Sequence, residues 1–162
     1  MRYRGPLYRA LNPVYARTPL SGEGAARYGG RFNPRGVAAL YTALDVIGAL
    51  REANQVGSLQ PTTLVSYDTD IDNIFDSRDG AALAAFGMDA GALADPGWRE
   101  HMHAGGEAPT QTFARRLIEA GHAGLLVRSF AKGAGPDDLN LVLWHWDKGL
   151  RLIDDENRLA RL

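Results

Sequence analysis

The segment LNLVLWHW at residues 139–146 places the strongest constraint on how this chain can fold. Apolar side chains occupy both faces of this predicted strand, whereas a strand with one face in water alternates apolar and polar residues. We therefore expect a central strand with a packed layer over each face. Asn140 is the exception within it, and because a buried amide without hydrogen bonds is costly, it either orients a loop or lines a site.

Strand and helix patterns are mixed along the rest of the chain. Alternating and apolar runs predict strands at 6–10, 37–42, 62–71, 123–128 and, after a hairpin turn at Lys148-Gly149, 150–154. Helices are predicted at 45–56, 78–86 and 110–120, together with a short one that Asp95 caps and Pro96 begins. The long segment 11–36 is rich in Gly, Pro and Arg, has no periodicity and is predicted to be a loop. No repeat or linker interrupts the chain, so the pattern favours one α+β domain over residues 1–162.

Composition excludes several classes of site. The chain has no cysteine, so disulfides, iron–sulfur clusters, thiolate zinc sites and a cysteine nucleophile cannot occur. His101 and His103 are two positions apart on a predicted helix and point away from each other. The acidic run Asp68, Asp70 and Asp72 lacks the glycine and glutamate of a calcium loop. We expect no metal site.

Charge is distributed unevenly along the chain. Residues 1–51 hold 8 Arg against 2 acids, a balance of +6, and residues 52–100 hold 9 acids against 2 Arg, a balance of −7. The net charge of −1 argues against a general nucleic-acid binder. The arginine-rich first third suits phosphate or carboxylate recognition, although a coding bias toward arginine explains it equally well. Without an apolar run of about 18 residues or an apolar leader, we expect a cytoplasmic protein outside the membrane.

Two stretches offer candidate polar residues. In GGRFNPRG, residues 29–36, two glycines allow a tight turn that presents Arg31 to an anion, unless the turn is ordinary and Arg31 solvated. On the predicted helix 45–56, the apolar stripe is Val46, Ala49, Leu50, Ala53 and Val56. Glu52 lies off that stripe, and Gly48, one turn before it, leaves room either for a ligand or for close helix packing.

Ser129 follows the predicted strand 123–128 directly. Its context, Arg128-Ser129-Phe130, lacks the G-x-S-x-G turn that exposes the nucleophile of many hydrolases. We therefore expect Ser129 to form hydrogen bonds rather than to attack a substrate.

In combination, these residues resemble the RES-domain family of toxins. The resemblance rests on Leu7-Tyr-Arg-Ala, GGRFNPRG followed by Leu40-Tyr-Thr-Ala, the helix with Glu52, and Arg128-Ser129 followed by Asn140-Leu-Val-Leu. Their order and spacing fit over nearly the whole chain, with Phe32 where the family has tryptophan. Residues 60–110 contribute little to the match.

The resemblance implies an ADP-ribosyltransferase-like α+β fold in which two small β-sheets and flanking helices surround a cleft for NAD. By position, it implies Arg31, Tyr41 and Glu52 as catalytic residues and Arg31, Tyr41, Ser129 and Asn140 as contacts to NAD. NAD is then a substrate, and no metal is implied.

The function implied is that of a type II toxin–antitoxin toxin that cleaves the nicotinamide–ribose bond of NAD and transfers ADP-ribose. A target protein is slightly favoured as acceptor over water or phosphate. The implied partner is an Xre-type antitoxin with a helix-turn-helix domain that blocks the cleft. The alternatives are a toxin that acts on nucleic acid through the arginine-rich segment and a non-catalytic interaction domain.

Overall fold

One sheet of seven strands organises the computed structural model, which describes residues 1–54 and 57–161. The strand order is β4-β5-β6-β2-β1-β3-β7, and β4 and β5 pair in parallel while the other neighbours are antiparallel. The strands are β1 (Tyr3–Leu11), β2 (Leu40–Ala43), β3 (Thr63–Ile71), β4 (Ile74–Asp76), β5 (Gly124–Arg128), β6 (Leu139–Leu143) and β7 (Leu150–Leu152).

Six α-helices flank the sheet in the described residues, and three of them begin at an aspartate that accepts a hydrogen bond from a backbone N–H three residues on. Both 3₁₀ helices are single turns, at Pro13–Tyr15 and Leu159–Arg161. The α-helices are α1 (Glu23–Tyr28), α2 (Val46–Ala53), α3 (Gly80–Ala85), α4 (Ala90–Leu93), α5 (Trp98–His103) and α6 (Pro109–Glu119). None of the helices in the described ranges is long and apolar enough to cross a bilayer.

The central strand predicted from the sequence is confirmed. β6 pairs with β5 on one side and with β2 on the other. Its side chains enter two apolar clusters, one containing Val142 and the other Leu141 and Leu143, all of them fully buried. The first cluster packs α6 against the sheet and the second fills the opposite face, so β6 is covered on both sides.

The sheet has a narrow joint between β2 and β1. β1 and β3 pair over nine positions, from Tyr3–Ile71 to Leu11–Thr63, but β1 and β2 pair only at Tyr8–Ala43. The two small sheets expected from the resemblance are therefore wrong as a count, because this one pair connects their halves. Residues of both strands on either side of this joint line a cavity.

Several predicted boundaries need correction. The predicted strand 139–146 ends at Leu143, and the indole Nε1 of Trp144 instead donates to the carbonyl of Phe32. The hairpin at Lys148-Gly149 is wrong, because both edges of β6 are occupied and β7 pairs with β3. The segment 11–36, predicted as a loop, contains α1 and a 3₁₀ turn.

Two helix predictions also change. Asp95 does not cap a helix, because its Oδ1 accepts from the N–H of Gly97 and α5 begins only at Trp98. On α2, Val46 is 36% exposed and Ala53 is also exposed, whereas Gly48 and Ala49 face inward. The predicted apolar stripe is therefore only partly the buried face, because its Ala49 is buried and its Leu50 half-buried while Val46 and Ala53 are exposed. Residues 55 and 56 at its end lie outside the described residues.

Candidate active site

A cavity of about 340 Å³ opens at the joint between β1 and β2. α2, the strands β5 and β6, the turn around Gly30 and the start of α5 complete its walls. The polar and aromatic side chains that line it are Tyr8, Arg9, Arg31, Phe32, Tyr41, Thr42, Glu52, Trp98, Arg99, Arg128, Phe130 and Asn140.

Two neighbouring side chains fix the carboxylate of Glu52. Oε1 accepts a hydrogen bond of 2.5 Å from the hydroxyl of Ser129 and one of 2.7 Å from Nδ2 of Asn140. Ser129 is 5% exposed, and its Oγ also accepts from the N–H of Ala131. The donors come from different elements, since Ser129 follows β5 and Asn140 lies on β6. Glu52 is therefore held in one orientation at the wall of the cavity.

Gly48 serves packing rather than a ligand. Its N–H donates to Oδ1 of Asp45, which caps α2. A Cβ at this position would lie 2.9 Å from that oxygen and 3.3 Å from the Cβ of Ala43. The glycine thus brings α2 close to β2, and this contact turns Glu52 toward the cavity.

Asn140 and Ser129 differ in their access to the cavity. Asn140 lines it, while Ser129 lies behind Glu52 and is not among the lining residues. The Oδ1 of Asn140 is buried and has no hydrogen-bond partner within the described residues. Because Nδ2 donates to a carboxylate, the orientation of this amide is fixed by charge. Ser129 is placed to orient Glu52.

Arg31 is anchored and stacked. Its Nη1 donates to the carbonyls of Leu93 at 3.0 Å and Asp95 at 2.7 Å. The guanidinium carbon lies 4.7 Å from the ring centre of Phe130 and 6.0 Å from that of Trp98. Burial, aided by the positive charge of nearby Arg99, lowers the pKa of Arg31 from its ordinary value. A cation in such a setting gains from a bound anion.

The ring of Tyr41 lines the cavity, and its hydroxyl forms hydrogen bonds within the protein. The hydroxyl donates to Oδ1 of Asn33 at 2.5 Å and accepts from the N–H of Phe32 at 3.0 Å. Burial raises the pKa of Tyr41 well above its ordinary value, so it stays neutral. A Cβ on Gly30 would collide with this hydroxyl, which explains the glycine before Arg31.

The structure brings together all five residues predicted from the sequence, and it adds others. Arg9, Arg99 and Arg128 also line the cavity, which gives four guanidinium groups and, among the lining residues described, one carboxylate. Arg9 and Arg128 lie within the motifs Leu7-Tyr-Arg-Ala and Arg128-Ser129, although nothing in the sequence assigned them to the site. Trp98 and Arg99 lie in the middle segment, where the sequence offered no signal.

This arrangement suits an anionic ligand with a reactive centre next to Glu52. Guanidinium groups bind phosphate oxygens in pairs, and the aromatic rings provide flat surfaces for a base or a pyridine ring. In the part of the chain that the structure describes, no three metal-ligating side chains come together. Charge stabilisation by fixed groups is the chemistry that these residues can supply.

Comparison with known proteins agrees with the geometry. The family model described as RES domain matches residues 6–159, which is nearly the whole chain. A search of curated proteins finds no match. Four of the five positions that carry the resemblance line one cavity, and the fifth, Ser129, is hydrogen-bonded to Glu52 beside it. Because the family model also spans the sheet and its helices, the chain belongs to the RES-domain family, whose members are NAD-related domains associated with toxin–antitoxin systems.

Proposed function

We propose that this protein cleaves the nicotinamide–ribose bond of NAD and transfers ADP-ribose to an acceptor, as the toxin of a type II toxin–antitoxin system. The observation that carries the proposal is the Glu52 carboxylate, held by Ser129 and Asn140 at the wall of a cavity with four arginines. NAD has the matching groups, a diphosphate beside a ribose that bears a cationic ring.

The chemistry needs only one carboxylate. Nicotinamide leaves as a neutral molecule from a cationic pyridinium, so no general acid has to protonate it, unlike the leaving group of an ordinary glycoside. As the bond between nicotinamide and the ribose breaks, the electron pair of that bond leaves with nicotinamide, and the ribose develops oxocarbenium character. Glu52 accepts a hydrogen bond from the ribose 2′-hydroxyl and stabilises the positive charge.

The other site residues bind and orient the substrate. In this proposal, the ring of Tyr41 stacks on nicotinamide and Arg31 contributes to the diphosphate site. Asn140 borders the ribose next to Glu52. The resemblance implies that Ser129 contacts NAD directly. In this proposal Ser129 acts through Glu52 instead, because its hydroxyl hydrogen is already donated to Oε1 of Glu52.

The test is nicotinamide release from NAD by the purified chain and its Glu52→Gln variant. The amide keeps the size of the side chain but loses the charge, so we expect release to fall at least about 100-fold while the circular dichroism spectrum is unchanged. Glu119→Gln, on an exposed position of α6, is the matched control and should retain activity. Full activity of Glu52→Gln would overturn the proposal.

The acceptor is decided by a second experiment. Transfer to a target protein is the version we favour slightly, with water and phosphate as the other acceptors. NAD labelled in its adenylate part is incubated with the chain and a cell extract. Label on a discrete protein band identifies a transferase, whereas label only in ADP-ribose or its phosphate identifies a hydrolase or phosphorylase.

The proposed partner is an Xre-type antitoxin with a helix-turn-helix domain that covers the cavity in the cytoplasm. The exposed Arg99 and Arg128 along the cavity wall would suit an acidic segment of such a partner. Nicotinamide release in the presence of the partner tests this, and release that continues in a stable complex would contradict it.

A further inference from the structure

The wall formed by the start of α5 contains a charge arrangement that the proposed function has not used. Arg99 is exposed, lines the cavity, and has no hydrogen bond or ion pair with another described residue. Its guanidinium carbon lies 4.7 Å from the ring centre of Trp98, so the side chain is stacked rather than extended into solvent. Stacking of this kind fixes a guanidinium while its N–H donors stay available.

Arg31 lines the same cavity and also lies near Trp98. Its guanidinium carbon is 6.0 Å from the centre of that ring, so one indole has two cations beside it. Burial, and after it the positive charge of Arg99, lowers the pKa of Arg31, because two cations that line one cavity repel each other. Two like charges brought together in this way cost free energy unless an anion lies between them.

The hydrogen bonds of Arg31 explain how the wall is held. By donating to the carbonyls of Leu93 and Asp95, Arg31 ties down the segment that leads into α5. Asp95 in turn accepts from the N–H of Gly97, immediately before Trp98. The position of Arg99 therefore depends on Arg31, although the two residues are far apart in the chain.

We propose that Arg99, stacked on Trp98, is the second half of a two-arginine clamp that binds the diphosphate of a dinucleotide together with Arg31. A diphosphate carries two negative charges, one for each guanidinium, and its paired oxygens match their donors. The inference rests on the proposed function for the identity of the dinucleotide, but the binding itself needs no turnover. It assigns a ligand contact to the part of the chain that carries little of the family signature.

Calorimetric binding of ADP-ribose and of adenosine to the full chain tests the clamp. We expect Arg99→Gln to weaken ADP-ribose about 10- to 100-fold, the effect of losing hydrogen bonds between charged groups. Adenosine, which has no phosphate, should change less than about twofold, since uncharged ligands gain little from a guanidinium. Arg27→Gln, which removes an exposed arginine outside the cavity lining, is the matched control and should bind both ligands like the wild type.

The aromatic plane is tested by a second pair of variants. Trp98→Phe keeps a ring beneath Arg99 and should retain most of the ADP-ribose affinity, whereas Trp98→Leu should lose as much as Arg99→Gln. Equal affinity of wild type and Arg99→Gln for ADP-ribose would overturn the clamp even if NAD is cleaved. Conversely, if the protein binds ADP-ribose through Arg99 but releases no nicotinamide from NAD, the proposed function is refuted and the clamp is not.

Discussion

One oxygen of Glu52, Oε1, accepts hydrogen bonds from both Ser129 and Asn140. Ser129 approaches it from the end of β5 and Asn140 from β6, 77 and 88 residues away in the chain. Because Ser129 and Asn140 donate to the same oxygen, the effect on catalysis of removing one donor should depend on whether the other is present.

We expect Ser129→Ala and Asn140→Ala each to lower kcat for nicotinamide release by about 10-fold, since each removes one hydrogen bond to a charged group. In the double variant, the loss should differ from the product of the single losses by at least about threefold, as is usual for groups that share one partner. Steady-state kinetics on the four proteins give this coupling.

The KM values distinguish orientation from substrate contact. Ser129→Ala should leave KM for NAD nearly unchanged, because Ser129 lies behind Glu52 and does not line the cavity. Ser77→Ala, which removes a hydroxyl that donates to the carbonyl of Leu126, is the control and should leave kcat unchanged. Strictly multiplicative losses in the double variant would contradict the shared role.

The site could be predicted from sequence only where residue types and spacing already resemble a known family. Glu52 and Asn140 contact each other across the whole fold, and no local pattern in the chain indicates such a contact. Trp98 and Arg99 are the first two residues of the short helix α5, which has no distinctive sequence pattern. Their position depends on hydrogen bonds from Arg31 to the backbone carbonyls of Leu93 and Asp95. Because every residue has a backbone carbonyl, the sequence does not indicate these contacts.

At the scale of elements, the loop between β5 and β6 is tied to α2. Nη1 of Arg51 forms an ion pair of 3.0 Å with Oδ2 of Asp138, which also accepts from the N–H of Gly135. The carbonyl of Asp138 accepts from the N–H of Ser129. The loop therefore closes on itself beside the residue that orients Glu52.

Asp138→Ala is expected to loosen this loop. The ion pair is partly exposed, so the loss in the free energy of unfolding should be at most about 1 kcal/mol. Hydrogen exchange should nevertheless accelerate over residues 130–138, and kcat should fall severalfold because Ser129 is less well held. Asp137→Ala changes the neighbouring exposed aspartate and should alter neither quantity. Unchanged exchange in Asp138→Ala would refute the tie.

The inward face of α2 shows where helical periodicity misleads. Apolar spacing predicted correctly that Ala49 faces the core, but Val46 and Ala53 of the same stripe are exposed, and Gly48 outside it is buried. The helix covers the joint of the sheet, where only small residues fit against Ala43 and where the cavity opens. Steric fit decided the orientation of this helix over side-chain hydropathy.

For the whole molecule, the sequence predicted the fold class and most strands but not their connection into one sheet. β3 was recognised by strict alternation, and its inward residues Val65, Tyr67, Thr69 and Ile71 are buried. The partner of β7 was missed, because a turn signal specifies only that the chain reverses. β7 pairs with β3 because β3 offers a free edge while both edges of β6 are occupied. Which edge is free is a property of the assembled fold.

Alkaline pH should destabilise the molecule through its buried tyrosines. Burial is the main cause that raises the pKa values of Tyr41 and Tyr67 in the folded state. In the unfolded chain, tyrosines ionise at about pH 10. Above that pH the unfolded state binds fewer protons than the folded state, so the free energy of unfolding falls as pH rises.

The expected slope is up to about 1.4 kcal/mol per pH unit for each such tyrosine. Urea unfolding between pH 8 and pH 11 measures it. Tyr41→Phe should be less stable at pH 8, because Asn33, with no exposed surface, and the N–H of Phe32 lose their partner. Its decline above pH 10 should be shallower by the share of one tyrosine, whereas Tyr15→Phe, at a position 60% exposed, should keep the wild-type slope. If Tyr41→Phe declines as steeply as the wild type, the buried hydroxyl at the cavity is not one of the groups that limit alkaline stability.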